Sequence, residues 1–134
     1  DCFADAFEDP ESYSSNRPDH TYMQNLLGRE DFIALVAVRE NRVLGGLAAY
    51  ELKKFERARS EIYIYDIAVS QDHRRTGIAT ALIDNLKPIA TSLGAEVIFV
   101  QADHGDQPAI QLYSKLGARE DVLHFDISVA ESLI

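Results

Sequence analysis

Between Glu61 and Leu86 the chain reads EIYIYDIAVSQDHRRTGIATALIDNL. Ile62, Tyr63, Ile64, Tyr65, Ile67, Ala68 and Val69 form a β-branched and aromatic run broken only by Asp66, the pattern of a central strand buried on both faces. Ser70 to Thr76 is a polar connector carrying Arg74 and Arg75. After Gly77, the apolar residues Ile78, Leu82, Ile83, Leu86 and Ile89 fall at helical spacing. The helix therefore opens where Arg74 to Ala79 sit. A helix N-terminus presents unpaired backbone N–H groups and the positive end of the helix dipole, and Gly77 with the small Ala79 admits a ligand close to that backbone. In outline this is a phosphate cradle. It is not a P-loop, because G-x-x-x-x-G-K-[ST] is absent, and not a dinucleotide fingerprint, because G-x-G-x-x-G is absent too.

Outward from this stretch, His20 to Leu27 predicts a helix stopped by Gly28, after a loop-like start with at most a short helix at Phe3 to Phe7. Phe32 to Val38 and Val43 to Leu52 are apolar runs around the polar turn Arg39 to Arg42, a pattern that predicts an antiparallel hairpin. Gly45 and Gly46 inside the second run predict a bulge or a close approach to another backbone. On the other side, the helix runs from Gly77 to about Leu93 with Pro88 inside it, and Glu96 to Ala102 is a second apolar strand. Strand, helix and strand at this spacing form a βαβ unit with parallel strands and a right-handed crossover. Asp106 is a good N-cap for a helix ending at Gly117, and Val122 to Val129 reads as a last strand.

With 134 residues, 46% of them hydrophobic, the chain predicts one domain over 1–134 with a single core. No apolar run approaches the ~20 residues that span a bilayer, and no signal segment opens the chain, so a soluble cytoplasmic protein is expected. Cys2 alone forms no internal disulfide, and no Cys/His spacing suits zinc, so no metal is expected. Twenty-two acidic against 13 basic residues give a net charge of −9. That balance disfavours nucleic acid and anionic membranes and favours a cationic partner.

Arg74-Arg75-Thr76-Gly77-Ile78-Ala79 resembles the acyl-CoA pyrophosphate motif, Q/R-x-x-G-x-G/A, of the GNAT N-acetyltransferases. Asp106-x-x-Ala109-x-x-Leu112-Tyr113-x-Lys115-x-Gly117 resembles the superfamily's N-x-x-A-x-x-L-Y-x-K-x-G-F, with Asp106 for Asn and Ala118 for the aromatic. The longer stretches RSEIYIYDIAVSQDHRRTGIATALI, VIFVQADHGDQPAIQLYSKLGARE and LHFDI are similar to the aminoglycoside (gentamicin) 3-N-acetyltransferases of that superfamily. FIALVAV and GGLAAYELKKFERARSEIYIYD extend the similarity over roughly residues 20–128.

The resemblance implies an α/β GNAT fold with a mixed sheet, lacking the family's first strand ahead of Asp1 and so N-terminally incomplete. The sheet edge left open would favour a homodimer. It implies transfer of acetyl from acetyl-CoA to the 3-amino group of deoxystreptamine antibiotics such as gentamicin, which confers resistance. In the family two parallel strands splay around the pantetheine arm. That places the backbone of Ile67, Ala68 and Val69 along the arm, and the amides of Arg75, Thr76, Gly77, Ile78, Ala79 and Thr80 on the pyrophosphate, with charge from Arg74 and Arg75. Asp106 and Ala109 would lie near the pantetheine, although Asp106 lacks the donor of Asn and N-capping is an equal reading.

Asp66 interrupts an apolar strand, and a buried carboxylate is costly unless paired or protonated. It is either a structural carboxylate or the general base that takes a proton from the substrate's ammonium, with Glu61, Asp103 and His104 as alternatives. Tyr113 is either part of its helix's core face or, as the resemblance implies, the acid that protonates the departing CoA sulfur. Asp66 and Asp103 are the expected carboxylates for a polycationic substrate. No covalent acetyl-enzyme is expected, because Cys2 lies outside both motifs. A GNAT enzyme for another polyamine or a protein amine, and a non-catalytic acetyl-CoA-binding module, are the other readings that fit.

Overall fold

The apolar runs become elements in the order α1 (His20–Leu27), β1 (Phe32–Arg39), β2 (Arg42–Lys53), β3 (Ser60–Val69), α2 (Ile78–Leu93), β4 (Ala95–Val100) and α3 (Gln107–Leu116). The computed structural model describes residues 20–130, so the helix expected at Phe3 to Phe7 lies outside the described residues. The chain divides into two units, Asp1–Gln101 and Ala102–Ile134. The first holds the sheet with α1 and α2; the second holds α3.

The sheet is mixed, in the order β1-β2-β3-β4, as expected. β1 and β2 form the antiparallel hairpin, closed by Glu40 and Asn41, both at positive φ (51° and 64°). Two positive φ values in succession match the twist of a two-residue hairpin loop. β3 pairs antiparallel with β2 and parallel with β4, with α2 as the crossover. The charged connector between β2 and β3 is tied to β4: Arg57 reaches both Glu96 oxygens at 2.8 and 2.9 Å, and Lys54 reaches Oε1 at 3.1 Å.

Leu82, Ile83, Leu86 and Ala90 form the buried face of α2. Together with Leu47, Ala49, Ile62 and Ile64 of the sheet they make the core. Pro88 removes one helical N–H, yet α2 continues to Leu93, where Gly94 at φ 78° donates its N–H to Ala90 and Thr91 carbonyls. On the other face of the sheet an aromatic row crosses every strand through the pairs Phe32↔Tyr50, Tyr50↔Tyr63 and Tyr63↔Phe99.

Two irregularities shape the sheet. Val43 pairs with Val38 and Gly45 with Ala37, which leaves Leu44 as an extra residue on β2. On β3, Ile64 pairs with Ala49 and Asp66 with Ala48, which leaves Tyr65 extra. The bulge or close packing expected at Gly45 is present in both senses. A Cβ there would lie 3.0 Å from the Ala68 carbonyl oxygen and 3.0 Å from Ile78 Cγ2, so only glycine lets the first turn of α2 sit down on the sheet.

The strand expected at Val122 to Val129 is not found: residues 118–128 carry neither helix nor strand. Among the described residues the second unit holds no other strand. A period-two pattern decides which side chains would share a face but does not supply an edge to pair with.

Candidate active site

The β3–β4 ladder ends at Ile64↔Val100, while β3 continues to Val69 and stays paired with β2. Because β4 itself ends at Val100, β3 runs on past the end of its parallel partner next to the bulge. Ser70 N–H donates to the Leu44 carbonyl at 2.7 Å, and the Ala68 carbonyl faces Gly45. Alternation along the strand then turns the backbone groups of Ile67 and Val69 to the opposite edge, the one that β4 pairs with as far as Ile64.

Asp66 is the first paired residue after the bulge and is half-buried. Burial pushes its carboxyl above the ordinary carboxylate range, and a hydrogen bond from the Ile67 N–H offsets this in part. The bulge also changes its neighbour's direction. Tyr65 and Asp66 are consecutive, yet both lie on the sheet face opposite α2, since Asp66 shares a face with Ala48 and the Tyr65 ring packs on Tyr50 and Tyr63.

Beyond Val69 the chain forms a 3-10 turn, Gln71–His73, and enters α2 through Arg74 to Gly77. The turn is braced by its own polar groups: Ser70 Oγ lies 2.9 Å from His73 Nδ1, and Thr76 Oγ1 donates to the His73 carbonyl. Arg75 has φ 65° and Gly77 φ 84°, so two left-handed residues turn the chain into the helix. Gly77 is required for conformation rather than space, because a Cβ there would meet nothing within 4 Å. The N–H groups of Ile78, Ala79 and Thr80 open α2 with no side-chain cap from Gly77, the kind of helix start that binds anions, and Arg74 and Arg75 lie on the preceding turn. Both ends of the loop rest on β2, Ser70 on Leu44 and Ile78 on Gly45.

The second unit carries the other expected residues along one loop and helix. Asp106 caps α3, accepting from the Ala109 N–H at 3.3 Å, so the N-cap reading of this carboxylate holds. Its own N–H donates to the Asp103 carbonyl at 3.0 Å. Asp103 and His104 are exposed, and Tyr113 lies within α3, its carbonyl accepting from Gly117 N–H at 2.9 Å. Asp66, Ile67 to Val69 and Arg74 to Thr80 are thus brought together in the first unit, and Asp103, Asp106, Ala109 and Tyr113 in the second. Among the described residues no group of His, Cys, Asp and Glu could hold a metal ion. Tyr65, Gly45 and the Ser70–His73 pair were not picked out as site residues by sequence, although the glycine pair was marked for close packing.

A strand that outlasts its parallel partner and leads through a left-handed glycine into the N-terminus of a crossover helix is the local geometry of an anion-binding α/β site. The model of the acetyltransferase (GNAT) family matches residues 1–118, and the chain belongs to that family. The aminoglycoside acetyltransferase HMB0005, from an uncultured soil metagenomic sample, is 60% identical with a TM-score of 0.93, over 96% of this chain and 86% of that one. A second soil metagenomic aminoglycoside acetyltransferase, meta-AAC0020, solved in complex with sisomicin, is 32% identical with a TM-score of 0.82, over 96% and 88%. An N-alpha-acetyltransferase of Saccharolobus solfataricus is 30% identical over 83% of this chain and 68% of its own length. The chain spans less than half the length of two other curated relatives, 43% and 35%.

The seating of α2 gives a first expected result. Gly45→Ala overpacks the contact with Ala68 and Ile78 and should cost about 1–3 kcal/mol of stability. It should also weaken CoA binding, since the same contact sets where the helix begins. Thermal melting and calorimetry with CoA read the two effects separately.

Proposed function

We propose that this protein transfers acetyl from acetyl-CoA to the 3-amino group of deoxystreptamine aminoglycosides such as gentamicin, and so confers resistance. The observation that carries this reading is the likeness, over nearly the whole chain, to soil aminoglycoside acetyltransferases, one of them bound to sisomicin. The net charge of −9 suits a polycationic acceptor. Acetyl-CoA, when bound, supplies an activated acetyl group. The backbone amides of Arg75 to Thr80 hold its pyrophosphate with Arg74, and the backbone of Ile67 to Val69 lines its pantetheine arm. Asp106 and Ala109 are assigned to the pantetheine arm on the sequence motif alone. Asp66, its pKa raised by burial, takes a proton from the acceptor's ammonium at a carboxylate oxygen. A backbone N–H of the Ile67 to Val69 segment polarises the thioester carbonyl; that of Ile67 is shared with Asp66. The Tyr113 hydroxyl returns a proton to the CoA sulfur, a role that rests on the sequence block around it. Asp66 and Asp103 bind the acceptor's cations. No described helix is long and apolar enough to cross a membrane; the proposed setting is the cytoplasm, with a homodimer as the proposed assembly.

Product analysis tests the regiochemistry. Gentamicin incubated with enzyme and acetyl-CoA should gain one acetyl group, and two-dimensional NMR should place it on the nitrogen at position 3 of deoxystreptamine. Acetylation at another amine would remove the 3-N assignment and keep the substrate class. The Saccharolobus relative favours a second reading, acetylation of a protein α-amine. A peptide acceptor that outcompetes gentamicin would decide for it.

A further inference from the structure

Tyr65 is the extra residue of the β3 bulge, without a partner on β2, and 66% of its surface is exposed. In a regular strand its side chain and that of Asp66 would point to opposite faces; the bulge sets them side by side. The exposed ring is held in place. Tyr50 lies edge-on to it at 5.9 Å and 90°, and Tyr63 at 6.0 Å and 78°. Tyr63 is fixed in turn by stacking on Phe99 at 4.8 Å and 3°, and by a 2.9 Å hydrogen bond from its hydroxyl to Gln101 Oε1.

A rigid aromatic ring left in water beside a half-buried carboxylate, just past the end of the β3–β4 ladder, has the chemistry of a ligand platform. Its face attracts cations, and its body covers the apolar carbons of a saturated ring. An aminocyclitol offers both, ammonium groups spaced around a ring of C–H bonds. When one amine is deprotonated, the others stay charged and need a partner that does not compete for the proton. An aromatic face is such a partner.

We propose that Tyr65 is a specificity-determining residue, its ring the platform on which the acceptor's aminocyclitol rests while one amine meets Asp66. This rests on the aminoglycoside reading above. It makes the enzyme select polyamines built on a rigid ring over flexible linear ones.

Steady-state kinetics of Tyr65→Leu, with gentamicin and acetyl-CoA varied in turn, test it. The KM for gentamicin should rise about tenfold, while kcat and the KM for acetyl-CoA stay within about threefold of the parent. Tyr65→Phe keeps the ring face and should stay within about threefold for both substrates. An unchanged gentamicin KM in Tyr65→Leu, or an acetyl-CoA KM that rises with it, overturns the proposal. Should Tyr65→Leu not fold, tyrosine-labelled wild-type protein gives the same decision by NMR, with Tyr65→Phe supplying the assignment. Gentamicin must then shift the Tyr65 ring signals more than those of Tyr50 and Tyr63, and equal or absent shifts overturn the platform. A parent enzyme that acetylates no aminoglycoside overturns the functional reading and the platform together; an active parent with an unresponsive Tyr65→Leu overturns the platform alone.

Discussion

Asp66→Asn should lower kcat/KM for gentamicin by about 10²–10⁴-fold, the usual range for loss of a general base. In the parent enzyme kcat/KM should rise with pH as Asp66 ionises, with a limb lying above the ordinary carboxylate range because burial raises this group. The limb should vanish in the asparagine variant. Stability should move the other way. The native carboxyl has a higher pKa than the unfolded one, so between those two values the native state binds more protons and stability falls as pH rises. Above the native value the ionised group is a standing cost. Asp66→Asn removes that cost, so at neutral pH the inactive variant should melt no lower than the parent. A variant that is both inactive and markedly less stable would return Asp66 to a structural role, and one with normal kcat/KM at every pH would move the base to Glu61, Asp103 or His104.

Tyr113→Phe should lower kcat by about 10²-fold, the lower end for a positioned acid, because only the phenol proton is lost. The ring and the helix position are kept, so melting temperature and CoA affinity should stay near the parent values. Full kcat with unchanged folding would end the assignment of Tyr113 as the acid and leave it as a packing residue of α3.

Much of this architecture was legible because the deciding features are local. Ile62 to Val69 could only be a strand at that density of β-branched and aromatic residues, and the spacing of Leu82, Ile83 and Leu86 could only serve a helix face. Gly77 and Gly94 marked the ends of α2 by their left-handed backbone, and Asp106 marked the start of α3 by capping it. The glycine at position 45 announced a close approach without naming Ile78 as its neighbour.

What escaped depends on pairing between strands. YIYD looks like unbroken alternation, and nothing in it says that Tyr65 has no opposite number on β2; that follows from the register against Ala48 and Ala49. The strand was accordingly read as buried on both faces, whereas Tyr65 stands mostly in solvent. The Ser70–His73 brace was missed for a similar reason, since a serine three residues before a histidine becomes a contact only once the chain turns between them. Val122 to Val129 shows the converse, a strand pattern with no strand to pair with among the described residues of its own unit.

Release of free CoA thiol from acetyl-CoA in the presence of gentamicin, beside spermidine and an N-terminal peptide as alternative acceptors, tests the proposed reaction most directly. Rapid release with gentamicin and slow release with the other two is the expected result. Release with the peptide alone, or none with any amine while CoA still binds, would contradict the account.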